Sequence, residues 1–229
     1  MEPRFEMFSL SHIMAIILTI ISVGTLYLAR MKIRKRNNLE NTVRYSLVLV
    51  LFAGEISLQF WYIVTNNWKI EYGLPLQLCD FSILMSIIML ILRSYKIFEV
   101  IYFTGVGGAL VAILSPELWL GFPHFRFYHF FISHVAIILA SLYLVWIWEF
   151  RPTLLSLAKM GVFLNLFGAF VFWVNFLVDA NYMFISKPTY NNTFLNHLGQ
   201  YPWYLLSLEA IVLAISFSLY LPFHFKRDN

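Results

Sequence analysis

The chain holds one cysteine, Cys79, in the stretch "GLPLQLCDFS", with Asp80 directly after it. A thiol attacks a carbonyl carbon as its thiolate, so it needs a base to take its proton or a positive environment to hold the anion. Pro75 suits the first turn of a helix, where its missing N–H would have been unpaired anyway. A helix is therefore expected from Leu74 or Pro75, with Cys79 about one turn in, near the positive end of its dipole. Asp80 opposes a thiolate by like-charge repulsion unless it is itself paired or protonated, and an imidazole beside the thiol resolves that conflict. Of the six histidines, His224 lies near the C-terminus, His12 in the first apolar run, His124 and His197 in connecting segments, and His129 at the lip of the fifth run. His134 alone lies inside an apolar run at a depth, about 10 Å below the helix start at ~1.5 Å per residue, that meets Cys79. His129, about 140° away round the same helix, faces elsewhere. Taken alone, these residues leave Cys79 as either a nucleophile or a buried structural thiol. One cysteine excludes an internal disulfide and a multi-cysteine zinc site, and no H-E-x-x-H spacing supports a metal of another kind.

Other polar residues inside apolar runs fall on single helical faces. Glu55, Gln59 and Tyr62 are spaced i, i+4, i+7, and Asn175, Asp179 and Tyr182 repeat that spacing. Cys79, Ser82 and Ser86 form a third stripe, and His134 and Ser141 a fourth. Glu55, Asp80, Asp179 and His134 are ionisable and converge at one depth, so a one-sided polar pocket is expected. Hydrogen bonding from helix to helix is the plain alternative for any one of them. Gly105, Gly107 and Gly108 lack the lysine and preceding strand of a phosphate loop and read as close helix packing.

The elements that must position these groups follow from composition. The 229 residues are 60% hydrophobic, 19% aromatic and 12% charged, with a mean hydropathy of +0.73. That is too apolar for a soluble domain, and the charge is confined to short stretches between runs long enough to cross a hydrocarbon core. Backbone amides in lipid must be satisfied within their own segment, and the alternation of a barrel is absent, so the fold class is all-α, a polytopic membrane helical bundle forming one domain over 1–229. Seven spans are expected, at about 8–29, 44–65, 75–93, 97–114, 127–149, 154–179 and 203–223. The third is short, and six spans with that segment re-entrant is the alternative. An N-terminus outside and a cytoplasmic C-terminus put 12 of the 16 Lys and Arg on the inner side, leaving Arg4, Lys69, Arg126 and Lys187 outside. The first run has no cleavage pattern and its basic cluster follows it, unlike a secretory signal. "RMKIRKRNN" adjoins two spans and reads as a topology and lipid-headgroup signal, so no nucleic-acid partner is expected.

The stretches "LPLQLCDFS", "FRFYHFFISHVAII", "NYMFISKP" and "YPWYLL", in this order over nearly the whole chain, resemble the YwaF-like family of bacterial integral membrane proteins. That family is similar to a vertebrate transmembrane acyltransferase that remodels ether phospholipids. It is more remotely similar to the androgen-induced membrane hydrolases of fatty acid esters of hydroxy fatty acids, which use threonine with histidine. The resemblance implies a membrane-embedded nucleophile and histidine, matched by Cys79 in "LCD" and His134 in "ISH". The expected chemistry is acyl transfer from a membrane lipid ester through an acyl-thioester, without a cofactor, in a bacterial cytoplasmic membrane. Supporting roles are expected for Asn175 or Gln77 as oxyanion donors, Asp80 or Asp179 in orienting the histidine, and Tyr182 and Lys187 at the headgroup, with Glu55, Gln59 and His129 lining the pocket. A transporter or solute-binding protein is the alternative, although no inverted repeat is apparent. A scaffold is a third reading.

Overall fold

The computed structural model describes residues 3–187 and 198–225; His197, Lys226 and Arg227 lie outside them. Seven α-helices follow one another: α1 (Leu10–Arg34), α2 (Asn37–Val64), α3 (Leu78–Leu92), α4 (Tyr95–Leu114), α5 (Phe125–Trp146), α6 (Leu154–Val178) and α7 (Tyr204–His224), with a short 3-10 turn at Tyr182–Phe184. Six of these are long and apolar enough to cross a membrane. The seventh, α3, has 15 residues and reaches about 22 Å, short of a ~30 Å core.

Local chemistry sets several of these boundaries. Ser9, Ser94 and His124 each accept a main-chain N–H at the start of α1, α4 and α5, and Thr153 with Ser156 forms a reciprocal cap on α6. Arg93 and Asp179 take the left-handed conformation that ends α3 and α6.

The core sits around α4 and α5, whose apolar stretches are 61% and 56% buried against 17% or less in the other long helices. Small residues let the neighbours close in. A Cβ on Gly105 would lie 3.0 Å from Ile137 of α5, and one on Gly107 would lie 3.3 Å from Ile215 of α7, in keeping with the packing role expected for this glycine run.

One end of the bundle gathers the N-terminal segment and the connections after α2, α4 and α6. Phe5 N–H donates to Trp119 O and Gly121 N–H to Pro3 O, and a Cβ on Gly121 would fall 2.6 Å from Arg4 O. His12 is fully buried here, with Nε2 2.8 Å from Ile113 O and Nδ1 accepting Phe8 N–H. The opposite end carries Arg34, Glu40, Arg93, Glu99 and Lys159 in ion pairs.

The start of α3 differs from the expectation. The helix begins at Leu78 and not at Leu74 or Pro75, because residues 70–77 are held in another shape: Tyr182 Oη accepts Leu74 N–H and donates to Ile70 O, and Leu76 N–H turns back to Leu74 O. Cys79 is therefore the second residue of the helix.

Candidate active site

The shortness of α3 is what makes the site. Its last residues reach the ion-paired end, where Arg93 contacts Glu40, so its first turn stops inside the bundle. His134 lies nine residues into α5, about 14 Å below that helix's start. The two depths coincide, and His134 Nε2 is 3.1 Å from Cys79 Sγ. The other ring nitrogen, Nδ1, is 2.7 Å from Phe130 O. A carbonyl only accepts, so Nδ1 carries the proton and Nε2 presents its lone pair to the thiol. The Phe130 ring packs on the imidazole at 4.2 Å between centroids, and His134 is 5% exposed. The arrangement can move a proton from sulfur to nitrogen without rotating a side chain.

Cys79, Asp80 and His134 all border a cavity of about 740 Å³, lined mainly by apolar side chains of α4, α6 and α7, which extends past Thr104 of α4 and Ser216 of α7. At the thiol end, Gln77 also borders it. Gln77 Oε1 accepts Met183 N–H at 2.9 Å, which leaves the Nε2 donor of the same amide for another acceptor. The first main-chain N–H groups of α3, those of Leu78, Cys79 and Asp80, have no intrahelical acceptor. Asp80 accepts from the Gln77 main chain, an acidic cap on the helix start. Arg126 and Glu55 both lie within electrostatic range of Asp80.

Several expected roles change. Asn175 is 2% exposed and both ends of its amide are taken: Nδ2 donates to Tyr182 O at 3.0 Å and Oδ1 accepts Tyr182 N–H at 2.8 Å. It is a clamp on the chain after α6 and is not among the residues that border the cavity. Tyr182 is fully buried, and its hydroxyl bonds to Leu74 and Ile70 replace the expected headgroup contact. Asp179 is exposed at the end of α6 and does not reach His134; Asp80 does not orient it either, since Phe130 O does. Lys187 is exposed, and the Asn181 side chain holds its main chain. Gln59 ties down the α2–α3 connection through Gly73 O and Trp68 Nε1. Glu55, buried beside it, accepts from Gln59 at 3.4 Å. His129 does border the cavity, but its Nε2 donates to Gly54 O at 3.1 Å, so its Nδ1 is the nitrogen that faces Arg126.

Arg126 is the residue that the sequence reading missed. It borders the cavity, its guanidinium lies 5.8 Å and 5.9 Å from the Tyr62 and Trp61 rings, and among the described residues no carboxylate pairs with it within ion-pair distance. The signal was present: Arg126, Phe130 and His134 are spaced i, i+4, i+8, on one face of α5.

The profile described as the TMEM164 family matches residues 7–220. No curated protein matches the chain, and no solved structure does.

Proposed function

Because the chain belongs to the TMEM164 family of membrane proteins, we propose that it is a lipid acyltransferase or lipid-ester hydrolase working through Cys79 and His134. The observation that carries this reading is the 3.1 Å contact between Sγ and a nitrogen whose partner nitrogen is anchored on Phe130 O. Nε2 takes the thiol proton as sulfur attacks the ester carbonyl carbon. The tetrahedral intermediate collapses with cleavage of the carbonyl–alkoxide bond, and Nε2–H returns the proton to the departing lysolipid oxygen. A second hydroxyl, from a lysolipid or water, gives its proton to Nε2, attacks the thioester and releases the thiol. No electron acceptor is needed at either step.

Gln77 Nε2 and the Cys79 main-chain N–H serve as oxyanion donors in this scheme. The apolar length of the cavity takes the acyl chain, and Arg126 at the thiol end takes an anionic headgroup oxygen. The lysine and arginine asymmetry supports placing the Cys79 end on the outer side of the membrane. The motifs around Cys79 and His134 support the narrower YwaF-like branch and a bacterial cytoplasmic membrane.

The test is lipid turnover in reconstituted membranes. Cys79→Ala is expected to keep the unfolding midpoint of the parent and to lose acyl exchange; undiminished exchange would remove the thiol from the mechanism.

A further inference from the structure

At the end of the bundle away from Cys79, a second cavity of about 380 Å³ is bordered by Arg34, Asn37, Glu40, Asn41, Arg93 and Trp148. Its charges do not cancel. Glu40 is the one carboxylate on its wall against the two guanidinium groups of Arg34 and Arg93, and its Oε1 already accepts from Tyr143 Oη at 2.6 Å and Trp148 Nε1 at 3.0 Å. Arg93 reaches Glu40 only at 3.4 Å, with its guanidinium 4.9 Å from the Trp148 ring. Arg34 pairs with Glu149, whose side chain is 63% exposed, a contact that solvent screens.

Behind this wall Arg44 is 7% exposed. Its Nη2 donates to Asn41 Oδ1 at 2.9 Å and its Nε has no partner. A buried guanidinium with one neutral acceptor is costly unless an anion lies close by. The first turn of α2 opens beside the same cavity, and Arg36 ahead of it supplies no side-chain cap, so its main-chain N–H groups lack acceptors.

We propose that this cavity is a phosphate-binding site. Arg34 commits its Nε to Trp146 O and its Nη1 to Glu149, and Arg93 its Nη2 to Glu40. Their remaining N–H groups, two Asn side chains and the start of a 28-residue helix form the donor set that tetrahedral phosphate oxygens accept from. Arg44 adds a third positive charge that no contacting carboxylate offsets. The phosphate is either the headgroup of an anionic phospholipid in the adjoining leaflet or that of a soluble phosphate compound. Both present the same oxygens, and the site is independent of the Cys79 chemistry.

The test uses the full chain in an uncharged detergent and reads its unfolding midpoint. Phosphatidylglycerol is titrated against galactosyl diacylglycerol, which has no phosphate, and inorganic phosphate against chloride at equal ionic strength. A saturable rise with phosphatidylglycerol alone assigns the lipid headgroup; a rise with inorganic phosphate assigns a soluble ligand chemistry. Arg34→Gln with Arg93→Gln is expected to weaken either response at least tenfold. Asn37→Asp guards against a folding defect, since a carboxylate in the first turn favours the helix while repelling phosphate: the midpoint without ligand holds or rises and the ligand response is lost. No saturable response to either probe, an equal response to the phosphate-free controls, or a full response in Asn37→Asp overturns the proposal.

Discussion

Around Cys79 the fixing bonds join neutral groups: His134 to Phe130 O, Asn175 to both main-chain atoms of Tyr182, Tyr182 to Leu74 and Ile70, and Gln77 to Met183. At the other end the contacts are charged: Lys159 with Glu99 at 2.6 Å, Arg34 with Glu149 at 3.0 Å and Arg93 with Glu40 at 3.4 Å. The division follows from what lipid tolerates. An unpaired charge deep in hydrocarbon is expensive, whereas amide and imidazole groups that satisfy one another hold geometry without that penalty. Ion pairs suit the interface, where headgroups and water share the load. Arg126 and Asp80 break the rule at the Cys79 end, and both border the cavity that the proposed reaction uses.

Substitutions can break or sharpen this contrast. Cys79→Ala is expected to give the largest effect, a loss of about 10³-fold or more in acyl turnover measured with labelled phospholipid, because no other group near His134 offers a comparable nucleophile. His134→Gln should follow, at about 10²–10⁴-fold, the range for a general base. Asn175→Ala leaves two buried main-chain groups of Tyr182 unpaired; at ~1–3 kcal/mol each, the loss is about 2–6 kcal/mol in unfolding free energy. Gln77→Ala removes one oxyanion donor, with about 10²-fold lower turnover and little change in substrate affinity. Glu149→Ala, at the charged end, should change stability by no more than about 0.5 kcal/mol, as for an exposed ion pair. A loss at Glu149 as large as that at Asn175 would show that the two ends are not built on different principles.

Hydropathy alone carried the helical membrane class, because an apolar run of about 20 residues matches, as a helix, the thickness of a bilayer's hydrocarbon core. The meeting of Cys79 and His134 was partly legible, through depth along each run. What sequence spacing could not supply was where helices stop. The Asn175, Asp179, Tyr182 stripe assumed one continuous helix, yet α6 ends at Val178 and Asp179 turns the chain left-handed. Tyr182 therefore points to Ile70 and Leu74, and Asp179 to solvent. Pro75 misled for the same reason: its preference for a first helical turn yielded to the Tyr182 hydroxyl, a contact 108 residues away from Leu74. Arg126 counts toward topology by its charge, and its i, i+8 spacing from His134 also puts it on the cavity face.

The most direct measurement of the central claim is peptide mass spectrometry of the full chain after brief incubation with a phospholipid carrying an isotopically labelled acyl chain. A labelled, hydroxylamine-sensitive acyl group on Cys79, absent from the His134→Gln chain, is the predicted result. Lipid exchange at the parent rate with no label on Cys79, or with label on a different side chain, would contradict it.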